Sequence, residues 1–144
     1  MFVLRPRGEG WLIDGTVGMA GHAEALLDSS PSGVRLLGLD VDPQALVQAG
    51  ARLARFGDRA RLVHASFRDL RAVAGAQGVD RALGVLLDLG VSAYQLETSG
   101  RGFTFQRDEP LDMRLDPTRG RPAAALLNQA PEPELVRILA EYGD

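Results

Sequence analysis

Three carboxylates each close a run of apolar residues: Asp14 after Trp11-Leu12-Ile13, Asp40 after Leu36-Leu37-Gly38-Leu39, and Asp88 after Leu83 to Leu87. The first leads directly into a glycine-rich stretch, Asp14-Gly15-Thr16-Val17-Gly18-Met19-Ala20-Gly21-His22. Glycines let a backbone approach a ligand closely and adopt positive φ. A helix opening behind them presents N–H groups to an anion such as a carboxylate. No Gly-Lys-Ser/Thr ends the stretch, so it is not a phosphate loop for a nucleoside triphosphate. Thr16 stands where the dinucleotide signature ending Gly18-x-x-Gly21 needs another glycine. Asp40 lies about 20 residues beyond the turn, where an acidic residue accepts hydrogen bonds from ribose hydroxyls. The chemistry these residues suggest is the holding of a small ligand with a ribose and a carboxylate.

Each candidate has a plainer reading. Asp40 and Asp42 could simply cap a helix, or form an Asp-x-Asp metal site. Pro43 directly after Asp42 favours Asp42 as the cap and leaves Asp40 for a ligand. Phe67 either packs in the core or faces a bound base. His22 is a polar residue of the first helical turn, or a donor to a ligand carboxylate. Asp88 ends a strand read as buried, where a carboxylate needs partners, so function is the favoured reading. Only His22 and His64 offer imidazole and cysteine is absent, so neither a disulfide nor a zinc site is expected.

The elements that position these residues alternate. Gly10 to Asp14, Val34 to Leu39, Arg61 to His64 and Leu83 to Leu87 read as strands. Helices are expected from the Gly21-His22 region, behind Asp42-Pro43, and after Ser66-Phe67-Arg68-Asp69, which fits a capping box. Ala45, Leu46, Ala49, Leu53 and Phe56 keep helical spacing. Continuous apolar strands separated by helices indicate a parallel sheet covered on both faces, with strand order 3-2-1-4. The fold class is therefore α/β, Rossmann-like, with about four strands followed by a loop and short helices. In such a sheet, ligands bind at the carboxyl ends of the strands where the order reverses, here between strands 1 and 4. Residues 10–90 form the ligand-binding half and 91–121 a loop without clean periodicity. Residues 122–144 open a helical region at Pro122 to Gln129 and Glu132 to Tyr142.

The loop interleaves cations and rings: Arg101-Gly102-Phe103-Thr104-Phe105-Gln106-Arg107, then Arg114, Arg119 and Arg121. Phe rings stack on unpaired bases and Arg holds phosphate. Against this, Asp108, Glu109, Asp112 and Asp116 could pair with these arginines and only fix the loop. Net charge is −3 and all 16 basic residues are Arg, so any nucleic-acid contact must be local. The start of the chain mixes Arg5, Arg7 and Glu9 into apolar residues, unlike a secretory leader, and no apolar run is long enough for a membrane span. A cytoplasmic location is expected.

The strings Asp14-Gly15-Thr16, Gly21-His22, Asp88-Leu89-Gly90-Val91-Ser92, Gln95-Leu96, Arg101-Gly102-Phe103 and Pro110-Leu111-Asp112-Met113-Arg114 resemble the MraW family of ribosomal small-subunit RNA cytosine-N4 methyltransferases. The resemblance runs from about Gly10 to Gly143. It implies S-adenosylmethionine as methyl donor, held by Ala20, Gly21, His22, Asp40, Phe67, Asp88 and Gln95; Asp14 and Gly18 join this site from the reading of the turn, and Gln95 enters on the resemblance alone. For a cytosine amine as acceptor, Asp88, the backbone carbonyls near Leu89-Gly90 and Ser92 are placed after strand 4 to hold its N–H groups, which makes Asp88 and Ser92 the expected catalytic side chains. The resemblance implies a cytosine of small-subunit RNA as substrate; from the loop pattern above, Arg101, Phe103, Phe105 and Arg114 are the expected RNA contacts, and no metal is expected. Ala20 replaces a usual Gly, Ala93-Tyr94 a usual Ser-Pro, and Glu109 a usual Gly. The family's His-x-Pro-Val-Leu opening and its later strands have no counterpart here. Strand 4 is therefore expected to be an apolar edge at which copies could associate. A truncated donor- or RNA-binding module is the alternative reading.

Overall fold

The computed structural model describes residue 6 and residues 8–143. Arg5 and Arg7, which break the apolar start, lie outside the described residues. The chain divides into two compact units, residues 1–90 and 91–144.

The first unit is a four-stranded parallel sheet of order β3-β2-β1-β4, built from β1 (Gly10–Asp14), β2 (Val34–Asp40), β3 (Ala60–His64) and β4 (Ala82–Leu86). This is the expected Rossmann-like order. Successive side chains on a strand point to opposite faces, so β1 and β2 feed two cores. Leu12, Val34 and Leu36 pack with Ala23, Leu26 and Leu27 of α1 (Gly21–Ser29) and Ala49 and Leu53 of α2 (Pro43–Leu53). Trp11, Ile13, Leu37 and Leu39 pack on the other face with Ala74 of α3 (Leu70–Ala76) and with Val79. Asp42 caps α2 by accepting from Gln44 N at 3.0 Å, with Pro43 in the first turn.

Three expectations change. Phe67–Asp69 is a short 3-10 turn ahead of α3; Ser66 accepts from Arg68 N, and no reciprocal bond from Asp69 closes a capping box. β4 is not covered on both faces: Leu83 and Val85 on this outermost strand are 44% and 48% exposed, and Leu87 just beyond it is 46% exposed. The stretch read as an aperiodic loop opens with a helix, α4 (Ala93–Glu97).

That helix belongs to the second unit, with α5 (Ala123–Gln129) and α6 (Glu132–Tyr142). Between α4 and α5 the chain has no regular structure and is held by side chains. Among the described residues no helix is long and apolar enough to cross a membrane.

Candidate functional site

The ends of β1, β2 and β4 converge on the glycine turn, and hydrogen bonds fix it to each. Val17 N donates to Leu39 O at 2.9 Å and Gly15 N to Leu86 O at 2.9 Å. Thr16 N donates to Asp14 Oδ1 at 3.1 Å, while Thr16 Oγ1 accepts from Asp88 N at 2.7 Å. Thr16, the residue that spoils the dinucleotide signature, thus ties strand 4 to the turn; the sequence held no signal for it.

Asp40 is the clamp of this turn. Its Oδ2 accepts from Gly18 N at 2.7 Å and its Oδ1 from Asp42 N at 2.9 Å. Gly18 sits at φ 51°, a conformation glycine tolerates without strain. The expectation that Asp40 stands free for a ligand is corrected: both oxygens serve the backbone, and each keeps a second lone pair for a ligand hydroxyl.

Ala20 and Gly21 open α1. Ala20 is left-handed at φ 64° and donates its N–H to Val17 O at 2.7 Å. The amide expected to meet a ligand therefore closes the turn instead. No side chain caps α1, so the first-turn amides from Gly21 onward are the ones presented to an anion. Arg52 supports the turn from outside, donating to Met19 O at 3.0 Å and pairing with Glu24 at 3.3 Å.

Two carboxylates with the same sequence signature behave differently. Asp14, on the central strand, is 1% exposed. Burial pushes its carboxyl up to about 6; the Thr16 amide and His22 oppose this, and Asp40 and Asp88 add to it. Asp88, at the end of the outer strand, is exposed, which corrects the expectation of a buried carboxylate there. Its Oδ2 lies 3.7 Å from His22 Nδ1, both side chains more than half exposed. Asp14 thus supplies negative potential from beneath the turn, and Asp88 presents a carboxylate at the surface. Phe67 is 39% exposed; its Cβ lies so near Gly15 that a Cβ built there would be 3.1 Å away. It flanks the turn at the rim of the core rather than within it. Asp14, Gly18, Ala20, Gly21, His22, Asp40, Phe67 and Asp88 are therefore brought together in the first unit. Among the described residues no cluster suits a metal ion.

The remaining candidates lie in the second unit. Ser92 caps α4 by accepting from Gln95 N at 3.2 Å, and buried Gln95 returns the bond from Ser92 N at 2.8 Å. This is a capping box, legible in Ser92-x-x-Gln95; it commits the Ser92 oxygen and the Gln95 carboxamide oxygen to the helix. Arg101 is buried, donating to Arg114 O at 3.0 Å and Leu115 O at 3.1 Å. Arg114 makes a two-bond pair with Asp112, at 2.7 Å for each bond; these bonds hold the Asp112 carboxyl below the usual range. The plainer reading describes Arg101 and Arg114: they build the loop. Phe103 is partly buried, with the Arg101 guanidinium 5.8 Å from its ring centre, whereas Phe105 is 99% exposed.

The sequence matches the family described as the MraW methylase family over residues 1–144. It is 50% identical over 143 residues to a Ribosomal RNA small subunit methyltransferase H of Heliobacterium modesticaldum, covering 99% of this chain and 46% of that protein. Against proteins of the same name it is 50% identical in Clavibacter michiganensis, covering 96% and 43%, and 52% identical in Streptomyces avermitilis, covering 92% and 42%. The chain thus spans less than half the length of these relatives. A solved rRNA methylase from Streptococcus thermophilus aligns with a TM-score of 0.40 at 25% identity, over 49% of this chain and 40% of that one.

Proposed function

Because the chain belongs to the MraW methylase family, we propose that it carries the donor site of a cytoplasmic ribosomal RNA methyltransferase. The donor is S-adenosylmethionine, and the acceptor is the N4 amine of a cytosine in small-subunit RNA. One observation supports this above the others: an uncapped helix N-terminus and three carboxylates surround one glycine turn at the ends of β1, β2 and β4.

The residues fit the donor's chemistry. Its carboxylate suits the amides that open α1 at Gly21, with His22 beside them. Its ribose hydroxyls suit the remaining lone pairs of Asp40. Its cationic groups suit the field of Asp14 and Asp88, and its adenine the exposed face of Phe67. S-adenosylmethionine supplies a methyl group already activated on a sulfonium, so the protein's task is positioning.

A cytosine amine is a weak nucleophile because its lone pair is delocalised into the ring. A carboxylate that accepts one of its N–H bonds turns the lone pair out of the ring plane; transfer would break the sulfonium S–CH3 bond, leave neutral S-adenosylhomocysteine, form the N–CH3 bond and release one N–H proton to solvent. Asp88 is the exposed carboxylate for that work, its backbone fixed by Thr16 and its side chain steadied by His22. The test follows labelled methyl from S-adenosylmethionine into small-subunit RNA, with nucleoside analysis. Label in N4-methylcytidine is expected, and Asp88→Ala is expected to lower the transfer rate about 100-fold at saturating donor. Label in another nucleoside contradicts the reading, as does displacement of the donor by NAD but not by S-adenosylhomocysteine. Donor binding without transfer leaves a binding module.

A further inference from the structure

We infer that a stripe of arginines on the α3 side of the sheet, Arg68, Arg71, Arg61 and Arg35, binds the phosphate backbone of RNA outside the donor site. The inference rests on the RNA-methylating reading above and names a surface that reading does not use, one lying wholly within the first unit. Arg68 and Arg71 line a shallow cleft of about 530 Å³ with Asp69, Ala72, Gly75 and Ala76. At the far end of α3, Arg61 donates to Gln77 O at 2.9 Å, and its guanidinium lies 5.0 Å from the ring centre of Trp11. The Arg35 guanidinium lies 4.6 Å from the same ring. Arg35 is in register with Trp11 and Arg61 with Leu37, so both share the sheet face that α3 covers. From Phe67 to Gln77 the chain covers about 15 Å at helical rise. The stripe therefore runs from the rim of the donor site to the amino ends of β2 and β3.

Arginines on the opposite face are already satisfied. Arg52 pairs with Glu24, and Arg55 with Glu24 and Asp28. Arg59 donates to Val34 O, Leu27 O and Pro31 O. On the α3 side the pattern reverses. Arg35, Arg61, Arg68 and Arg71 are all exposed, and among the described residues none has a carboxylate within ion-pair distance. Trp11 is buried, and its ring attracts both guanidinium groups that meet it. Two cations gathered on one ring also repel each other, and no neighbouring carboxylate offsets that repulsion. An anion would. The five N–H donors of each guanidinium point outward in its plane, so contact with a ring face leaves them open to an acceptor.

A chain of phosphates fits these groups better than a protein or a lipid surface. The guanidinium fork matches two phosphate oxygens at once. The cleft floor is Ala72, Gly75 and Ala76, whose small side chains let a sugar-phosphate backbone come close. Its lining holds no aromatic or large aliphatic residue of the kind that anchors a protein partner or inserts into lipid. Asp69 is the one carboxylate in that lining, against two arginines. The stretch from Val91 to Asp144, by contrast, carries six arginines against nine acidic residues. Attraction for phosphate therefore falls to the first unit. A nucleic-acid strand whose target base sits in the donor site extends beyond it in both directions, and the stripe starts at that rim.

The test measures binding of oligoadenylate and oligouridylate across a salt series to the full chain, to Arg68→Gln/Arg71→Gln and to Arg55→Gln. For the parent, log affinity is expected to fall against log salt with a slope of about −3, roughly −0.7 for each of four phosphates. Arg68→Gln/Arg71→Gln is expected to weaken both RNAs about tenfold at roughly 50 mM salt and to make the slope shallower by about 1.4. Melting temperature and S-adenosylmethionine affinity should stay unchanged in that variant. Arg55→Gln, whose charge is already paired, is expected to bind RNA as the parent does. Absence of RNA binding by the folded parent overturns the inference. So does equal weakening by Arg55→Gln, which would make net charge the cause, or a loss confined to one of the two RNAs, which would mean a base contact. Vesicles containing phosphatidylserine whose binding is lost in Arg68→Gln/Arg71→Gln while RNA binding persists would overturn it in favour of a membrane surface. Failure of the parent to bind S-adenosylmethionine counts against the methyltransferase reading instead.

Discussion

Replacing Asp40 with alanine is expected to lower both stability and donor affinity. The carboxylate accepts two backbone N–H bonds, from Gly18 at 2.7 Å and from Asp42 at 2.9 Å. Hydrogen bonds to charged groups contribute roughly 1.5–3 kcal/mol each. Asp40 is half-buried, so water recovers part of the loss, and a fall of about 2–4 kcal/mol in unfolding free energy is expected. Asp42 is fully buried and starts α2, so its amide is the harder one to rehydrate. Donor affinity should fall by a further ~1.5–3 kcal/mol, measured where the variant is folded, because the ribose loses its acceptor and Gly18 its anchor. Asp40→Asn is not a silent control: its amide oxygen can serve one N–H, but its NH₂ then faces the other. Denaturant unfolding and donor titration check the two effects separately. Unchanged stability would contradict the clamp, and unchanged affinity in a folded variant would remove Asp40 from the donor site.

Asp14→Asn is expected to do the opposite to stability while still weakening the donor. Burial raises the Asp14 carboxyl to about 6 from an ordinary 3.8. The folded chain therefore holds this proton more tightly than the unfolded chain does. Stability from this group is fully present below about pH 4 and is lost as pH rises to about 6, after which the penalty is constant. The shift corresponds to up to about 3 kcal/mol. Asparagine keeps an oxygen for Thr16 N and removes the buried charge. The stability of Asp14→Asn relative to the parent should therefore grow by up to about 3 kcal/mol between pH 4 and pH 7. A cationic donor favours the ionised form, so parent affinity should rise through pH 6 and the variant's should not. Unfolding curves at several pH values, paired with titrations, test this. A pH-independent stability difference would show that Asp14 titrates in the fold as it does in water.

The contrast between Asp14 and Asp88 shows what the sequence could and could not say. Both follow an apolar run, and the run predicts the strand in each case. Whether the carboxylate is buried depends on the strand's neighbours. β1 is central, covered by cores on both faces, and Asp14 is sealed in; β4 is outermost, and Asp88 is open. Strand order was legible from the alternation of elements, but the solvation of each strand end was not. Local chemistry read more surely. Asp42-Pro43 caps α2 as its residue types require, because that bond spans two residues and needs no tertiary partner.

The Ser92-x-x-Gln95 box is equally local, but the surrounding stretch has no hydrophobic period to mark it as the start of a helix. The converse holds at Ser66, where Asp69 is shorter by a methylene than the glutamate that closes such a box. In the loop, charge pattern alone could not separate arginines that build from arginines that bind. Arg101 and Arg114 are taken by carbonyls and by Asp112, partners up to 14 residues away in the chain.

Calorimetric titration of the purified chain with S-adenosylmethionine tests the central claim most directly. Saturable one-to-one binding, competed by S-adenosylhomocysteine, is the predicted result: the turn between Asp14 and His22, clamped by Asp40, holds the donor. Absence of binding by a folded, monomeric chain would contradict it.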